Sequence, residues 1–276
     1  MKRRSFIKTG LTAAWILSGH EWVKASMLTH EVSTSKKRGL RFAVASDGHY
    51  GEPNTTSAEN FANLVQHVNE EHGRRKFDFC MINGDIVHNE KEFYTPAKAA
   101  LDKLAMPYYV SQGNHDRVTP DEWQSIWNMP VNHDFRIRKN GFLVGTTSDV
   151  KGEYHCPDLD WMRSALEKHK EQEHVFIFLH INPVKQTKGA VDCPELTNLL
   201  KQYRNVKAVF DGHDHDQDDV KVKDGIPFIF DGHFGGSWGT AYKGYRVVET
   251  MEDGRLVTYM MNPTVKLDAY DLGYKM

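Results

Sequence analysis

The chain has 276 residues, which is enough for one large domain around a single core. Hydrophobic residues make up 39%, charged residues 26%, and the formal net charge is -2, a composition that excludes disordered, collagen-like and coiled-coil proteins. Three cysteines are too few for a disulfide framework, and no uncharged stretch reaches the roughly 20 residues of a membrane span. Histidine is unusually frequent, with 15 residues, which favours a search for metal-ligand spacing.

The N-terminal 25 residues have the pattern of an export signal. A basic segment precedes the uncharged stretch 9–19, and Val23 and Ala25 offer short side chains at the two positions that a signal peptidase reads. The pair Arg3 and Arg4 resembles the twin-arginine signal of proteins that fold and take up metal before they cross the bacterial inner membrane. We therefore expect a signal peptide at 1–25, contact with the export machinery, and a periplasmic or secreted protein. The alternative is a basic N-terminus on a cytosolic protein.

Cleavage of that signal changes the charge of the remaining chain. It removes five basic residues and one acidic residue, which moves the formal net charge from -2 to -6. An acidic protein without a basic stripe is a poor binder of long nucleic acids. We therefore expect a small-molecule partner and no membrane span in the mature protein.

From about residue 40, short apolar runs alternate with amphipathic stretches, which is typical of an α/β domain. An apolar face with helical spacing predicts a helix around 61–68, between strands at 40–46 and 77–83. Further helices are predicted near 93–104, from 119 onward, and near 158–170 and 195–203, with strands near 108–112, 133–138, 141–147, 175–179 and 206–210.

Residues 218–262 differ from the preceding alternation. Their short alternating runs are joined by Gly and Asp turns, which predicts a separate antiparallel sheet. We therefore expect one domain at 40–262, followed by a C-terminal tail at 263–276.

Polar side chains follow five of the predicted strands where each strand ends. In chain order they are Asp47-Gly48-His49, Gly84-Asp85, Gly113-Asn114-His115-Asp116, His180, and Gly212-His213-Asp214-His215. The carboxyl ends of strands in an open α/β sheet converge on one edge, where such groups can meet. Carboxylate, amide and imidazole ligands suit Mn, Fe or Zn, and their number indicates two metals, an arrangement used for in-line attack on phosphorus.

These five motifs, in this order, resemble those of the calcineurin-like metallophosphoesterase superfamily over essentially the whole chain after the signal. The resemblance implies an α/β fold in which a two-sheet β-sandwich is flanked by helices, in αββα layers. It also implies a set of metal ligands: Asp47, His49 and His215 for one metal, Asn114, His180 and His213 for the other, and Asp85 as the bridge between them.

The implied activity is hydrolysis of a phosphoester by a hydroxide held between two divalent or mixed-valence metals, with His115 as acid or transition-state stabiliser. Protein phosphatases of the superfamily carry an aspartate three residues after the bridging one, where this chain has His88, so a carboxylate to orient His115 is missing there. Residues 84–116 are more similar to bacterial cyclic-nucleotide and glycerophosphodiester phosphodiesterases. A small phosphodiester is therefore the expected substrate.

Two other functions stay open. A phosphomonoesterase, such as an acid phosphatase or nucleotidase, uses the same metal motifs, because loops decide substrate specificity; here these are 50–56, 117–130, 182–193 and 233–243. A non-catalytic scaffold would be expected to have lost a ligand or the histidine of the Gly-Asn-His motif, and none is lost. A metallo-β-lactamase-like site is excluded because its His-x-His-x-Asp-His motif is absent: Gln217 follows two residues after His215.

Several of these residues have a second interpretation. Asn114 is also compatible with an ordinary turn, and His180 with a structural histidine at the end of an apolar strand. The roles of His88 and His233 are open, because the tripeptide 231–233 repeats 47–49 but also signals a hairpin turn.

Three further features carry weaker signals. The spacing of Trp123 and Trp127 favours packing over a substrate platform. The glycine-rich loop 235–239 is a candidate for substrate entry, although it lacks the following helix of a phosphate-binding loop. Cys156 and Cys193 can form a disulfide after export.

Overall fold

Two β-sheets pack face to face in this computed structural model, and helices cover their outer surfaces. The structure describes residues 13–18, 21–26, 39–251, 255–262 and 265–271, with side chains in 39–251 and 255–262. This architecture confirms the predicted two-sheet sandwich. Arg3 and Arg4 lie outside the described residues, so the signal peptide stays a prediction.

The described residues form five α-helices. They are α1 (Ser57–Arg74), α2 (Tyr94–Leu101), α3 (Pro120–Trp127), α4 (Leu159–Lys168) and α5 (Pro194–Leu200). The apolar face predicted around 61–68 lies on α1 and is buried. Helix α3 begins with a capping box, in which the Thr119 side chain accepts from the Glu122 backbone N–H and the Glu122 carboxylate accepts from Thr119.

The first sheet has eight strands, in the order β2-β1-β14-β13-β12-β3-β4-β5. They are β1 (Ala13–Ser18), β2 (Glu21–Ser26), β3 (Arg41–Ala45), β4 (Phe79–Asn83), β5 (Tyr108–Ser111), β12 (Tyr245–Thr250), β13 (Leu256–Asn262) and β14 (Val265–Asp271). Strands β3, β4 and β5 run parallel, which brings their carboxyl ends to one edge.

The second sheet has six strands, in the order β10-β11-β9-β8-β7-β6. They are β6 (His133–Ile137), β7 (Asn140–Gly145), β8 (His174–Leu179), β9 (Val206–Asp211), β10 (Val220–Lys223) and β11 (Ile226–Phe230). Strands β7, β8, β9 and β11 run parallel, so this sheet also has an edge where several carboxyl ends meet.

The prediction of a separate antiparallel sheet at 218–262 is wrong. Strands β10 and β11 join the second sheet through β9, whereas β12 and β13 join the first through β3. Alternating side chains indicate strands but not their partners, which are set by backbone hydrogen bonds to distant segments.

Both ends of the chain add strands to the first sheet. Strand β14 lies inside the predicted tail 263–276. Its backbone pairs with β13 on one side and with β1 on the other. Strands β1 and β2 pair with each other and, apart from Ser26, lie within the segment 1–25 predicted as a signal peptide.

The core consists of three apolar layers. Between the sheets, Phe42 lies with its ring 4.8 Å from that of Phe79 and within 6.2 Å of Phe142, Phe176, Phe178 and Phe210. Helices α1, α2 and α3 cover the outer face of the first sheet, and α4 and α5 that of the second. Trp123 and Trp127 are buried under the first sheet, which confirms packing as their role.

Two predictions about covalent and membrane features can be compared with the described residues. Cys156 and Cys193 form a disulfide, and Cys80 is a buried free cysteine in β4. None of the helices that the structure describes is long and apolar enough to cross a membrane.

Candidate metal centre

The predicted ligands meet where the parallel strands of both sheets end. Asp47 and Asp85 follow β3 and β4 of the first sheet, while His180 and His213 follow β8 and β9 of the second. The backbone reverses sharply at these turns: Asp47 has φ 60°, Asp85 φ 49° and His213 φ 65°. This left-handed region is uncommon for residues with a side chain and concentrates at functional sites.

Two glycines of the motifs allow the turns to approach one another. A Cβ on Gly113 would lie 2.3 Å from Asp85 Oδ1, and one on Gly84 would lie 2.3 Å from His180 Nδ1. Gly84 also has φ +83°, which a side chain would make costly. The glycines therefore let Asp85 and His180 come together.

Asp47, His49 and His215 form one group whose ligating atoms lie within 4.8 Å of one another. His215 Nε2 is 3.1 Å from Asp47 Oδ1 and 3.0 Å from His49 Nε2. The Nδ1–H of His215 donates to the Trp238 carbonyl at 3.1 Å, which leaves Nε2 to face the group. In many proteins a metal-binding histidine is oriented in this way, by a hydrogen bond that its other ring nitrogen donates.

Asp85, His180 and His213 form a second group, whose ligating atoms also lie within 4.8 Å of one another. His180 Nε2 is 3.2 Å from Asp85 Oδ2, and its Nδ1–H donates to the Asn83 carbonyl at 2.7 Å. Asp85 Oδ2 is also 3.6 Å from His49 Nε2, so this carboxylate faces both groups. Its other oxygen accepts from the His115 backbone N–H at 2.7 Å.

Three buried ligating atoms make no aligned hydrogen bond with the described residues: Asp47 Oδ1, Asn114 Oδ1 and His180 Nε2. The 3.1 Å approach of His215 Nε2 to Asp47 Oδ1 and the 3.2 Å approach of His180 Nε2 to Asp85 Oδ2 lack hydrogen-bond alignment. Leaving such atoms unpaired is costly unless another group satisfies them. Oxygen and imidazole nitrogen atoms are ligands for first-row cations. The donor set therefore fits bound metal ions.

The charges around the two groups also fit bound metal ions. Burial opposes ionisation of Asp85, but His180 and His49 hold its pKa well below the usual range. Burial likewise opposes a charged His180 ring, but Asp85 and Asp47 raise its pKa to about 10. Buried carboxylates favour positive charge beside them, which protonated histidines or a bound metal ion would supply.

His115 lies beside both groups. Its ring centroid is 4.9 Å from that of His49, and burial lowers its pKa to about 4 against the opposing charge of Asp85. Asn89 Oδ1 lies 2.9 Å from His115 Nδ1, and the Asn89 backbone N–H donates to the His115 carbonyl. His88 stacks on the His115 ring at 4.8 Å. His49, His88 and His115 form a third group with ligating atoms within 4.8 Å.

Asn89 is a site residue that the sequence pattern did not indicate. The family pattern points to the position three residues after Asp85, whereas the side chain that contacts His115 is four residues after it. Asn89 has φ 66°, which turns it back toward the motif that contains His115. An asparagine directly after His88 in a turn is a weak signal, because asparagine is common in turns.

Asp116 is a second residue to which the sequence pattern gave no role. Its buried carboxylate accepts from the backbone N–H groups of Ile86, Val87 and Gly113 at 3.0–3.2 Å. It therefore ties the turn after β4 to the turn after β5. Burial and the neighbouring Asp85 raise its pKa to about 7.

The glycine-rich loop 235–239 lies over the first group. Trp238 stacks on His215 with ring centroids 4.3 Å apart and planes at 5°, and the His233 ring lies nearly parallel to His215 with centroids 5.2 Å apart. The His233 ring nitrogens face the carbonyls of Gly235 and Thr240. His233 is therefore part of the centre's packing and not of a distant turn.

The structure thus brings six of the seven predicted ligands and His115 to one place, and Asn114 directly precedes His115, whose backbone N–H donates to Asp85. The partition into Asp47, His49 and His215 against Asp85, His180 and His213 follows the geometry of the two groups. Asn114 contributes a buried, unpartnered amide oxygen. Which of these residues bind metal stays a prediction.

Two curated relatives carry phosphodiesterase names. The chain is 30% identical over 174 residues to a "Probable glycerophosphodiester phosphodiesterase" of Arcobacter nitrofigilis, a match that covers 55% of this chain and 61% of that protein. It is 21% identical over 210 residues to a "Probable cyclic nucleotide phosphodiesterase" of Fibrobacter succinogenes, covering 71% of this chain and 81% of that protein. The chain therefore spans about three fifths of the first relative's length.

Solved structures share the fold at low identity. A dimetal phosphatase from Danio rerio superposes with a TM-score of 0.70 at 14% identity, covering 87% of this chain and all of that one. GAP50, the anchor in the inner membrane complex of Plasmodium, superposes with a TM-score of 0.63 at 16% identity. The superposition covers 87% of this chain and 90% of that one. The profile described as calcineurin-like phosphoesterase matches residues 40–217. The chain therefore belongs to the calcineurin-like phosphoesterase family.

Proposed function

We propose that this protein hydrolyses a small phosphodiester with two bound metal ions. The observation that carries the proposal is the pair of buried groups that meet at Asp85 and contain ligating atoms without hydrogen-bond partners. Two adjacent sites are required for a two-metal phosphoryl-transfer centre. One group alone would be compatible with a single structural ion.

Each metal would be held by ligands from both sheets. Asp47, His49 and His215 would hold one ion, Asn114, His180 and His213 the other, and Asp85 would lie between them. Mixed oxygen and nitrogen ligands accept Mn, Fe or Zn. When bound, such ions acidify water and neutralise the charge of the phosphoryl oxygens, which makes hydrolysis possible at neutral pH.

The chain's own residues then position the reaction. The hydrogen bond that His115 Nδ1–H donates to Asn89 Oδ1 holds the ring and leaves Nε2 for the substrate. The negative charge of a bound phosphodiester favours a proton on that ring, which can pass from Nε2 to the leaving oxygen. General acid catalysis of this kind contributes about 10² to 10⁴ in rate.

The choice of a diester is supported by the relatives' names and by the side chain that contacts His115. Both relatives are named as phosphodiesterases. Asn89, and not a carboxylate, faces His115 Nδ1, which differs from the arrangement expected for the protein-phosphatase branch. A phosphomonoesterase is the alternative that the experiment below also tests.

We also propose that the protein is exported to the periplasm or secreted. The twin-arginine pattern at Arg3 and Arg4 supports this. The disulfide between Cys156 and Cys193 supports it independently, because such bonds persist in oxidising compartments.

The test of the activity compares two esters on protein reconstituted with Mn, Fe or Zn in turn. We expect turnover of bis(4-nitrophenyl) phosphate that exceeds turnover of 4-nitrophenyl phosphate and is abolished by a chelator. Asp85→Asn should fall to the background rate, whereas the matched exposed variant Asp102→Asn should retain activity. Preferred monoester turnover would assign the phosphomonoesterase instead, and no turnover with any metal would reject the proposal.

A further inference from the structure

The rim of the candidate metal centre carries two exposed aromatic side chains. Trp238 is 54% exposed and Tyr154 is 45% exposed, which is unusual for large hydrophobic side chains in the described part of the chain. Trp238 contacts His215 of the first group, and Tyr154 meets the edge of His213 of the second at 4.9 Å. Exposed aromatic residues placed over a polar centre indicate a binding surface.

Trp238 is the exposed member of a set of three nearly parallel rings. The ring planes of His233 and Trp238 lie at 12° and 5° to that of His215. His215 is 2% exposed, whereas Trp238 is more than half exposed. The set of rings therefore joins the buried metal centre to an aromatic surface open to solvent.

The loop holds this indole in place before any ligand arrives. The Gly235 N–H donates to the Asp47 carbonyl at 3.0 Å, and the Thr240 N–H donates to the His215 carbonyl at 2.9 Å. Between them, the Ser237 hydroxyl donates to Glu52 Oε1 at 2.5 Å. A platform fixed on both sides loses little conformational freedom when a ligand binds.

We propose that Trp238 binds a planar heteroaromatic base, so that the substrate is a nucleoside phosphodiester whose phosphate lies at the metal centre. This inference rests on the proposed function and names its substrate class. A flat base can stack on the open face of Trp238. Aromatic side chains bind bases by such stacking with little preference among the four bases. A quaternary ammonium group is bound instead within cages of several aromatic rings, whereas Trp238 offers one open face.

The first experiment measures binding, so that it does not depend on turnover. Calorimetry with the Mn²⁺-loaded protein compares adenosine 5′-monophosphate with glycerol 3-phosphate, which has no base. We expect the wild type to bind the nucleotide more tightly. Trp238→Ala should weaken nucleotide binding about 5- to 100-fold and change glycerol 3-phosphate binding less than about twofold, while Trp238→Phe should retain most of the preference.

The second experiment measures turnover of adenosine 2′,3′-cyclic phosphate, glycerophosphoethanolamine and glycerophosphocholine. Trp238→Ala should lower kcat/KM for the nucleotide alone, with the metal content of the protein unchanged. Equal losses for all three would show that Trp238 only supports His215, and a loss confined to glycerophosphocholine would assign a cation site; either result overturns the inference. If no ester is hydrolysed, the proposed activity fails, and the binding comparison still decides the role of Trp238.

Discussion

Individual side chains in the centre are oriented by hydrogen bonds to the backbone. His215 and His180 each use Nδ1–H on a carbonyl and direct Nε2 toward a carboxylate. His115 is held differently, because an amide side chain faces its Nδ1. Each ring is therefore held in one orientation, which preorganises the site.

Asn89 is the residue whose removal tests this orientation. Asn89→Ala should lower kcat for alkyl phosphodiesters of glycerol about 10- to 100-fold, because an unrestrained His115 is a poorer proton donor to a strongly basic leaving oxygen. The same change should affect bis(4-nitrophenyl) phosphate only a few-fold, because 4-nitrophenolate leaves without a proton. Steady-state rates on both esters measure the difference.

Asn89→Asp is the matched control for that prediction. A carboxylate accepts the same bond from His115 Nδ1, so this variant should regain most of the activity on alkyl esters. An equal loss for both esters in Asn89→Ala would contradict the positioning role and point to general damage of the turn.

At the scale of elements, two loops enclose His213. Tyr154 lies against the His213 ring, and a Cβ on Gly189 would approach His213 Nε2 to 2.8 Å. The disulfide from Cys156 to Cys193 joins these loops close to both contacts. It therefore connects the segment after β7 to the start of α5 beside the second group.

Removal of this disulfide should lower the stability of the fold. Its cysteines are 37 residues apart, and closing a loop of that length contributes about 3–4 kcal/mol in the chain-entropy account. The double variant Cys156→Ser, Cys193→Ser should show a loss of about 2–4 kcal/mol in denaturant unfolding. A reducing agent should destabilise the wild type by a similar amount and leave the variant unchanged; identical midpoints for oxidised and reduced wild type would refute this role.

At the scale of the whole molecule, the centre lies on the seam between the sheets. The first sheet supplies Asp47, Asp85 and Asn114, and the second supplies His180 and His213. Phenylalanine rings from both sheets interlock beneath that seam, so the relative position of the sheets is set by the core and not by the metal ligands. Two distant halves of the chain can therefore present one site.

Export is a property of the whole chain and has its own test. In a bacterium with the twin-arginine pathway, replacing Arg3 and Arg4 with lysine should retain the protein in the cytoplasmic fraction at full precursor length. Lys24→Arg should not change export, because it preserves charge outside the arginine pair. An unchanged periplasmic fraction in the double variant would reject this export route.

Local patterns accounted for much of the fold. The helical spacing at 61–68, the capping residues at 119–122 and the apolar runs before Asp47 and Asp85 are properties of neighbouring residues, so they are visible in the sequence alone. The assignment of 218–262 to a sheet of its own was wrong because local alternation does not identify a strand's neighbours. Strand pairing depends on partners such as β9 and β3, which are distant in the chain.

The sequence by itself indicated the candidate site residues, because carboxylates, an amide and imidazoles at successive strand ends form a pattern that rarely arises by chance. Only the tertiary structure decided that Asn89 contacts His115, that Trp238 and His233 stack with His215, and that Cys156 meets Cys193. These contacts depend on the paths of loops through space, which residue spacing does not encode. Motif residues are recognisable by type, whereas their supporting residues are defined only by proximity.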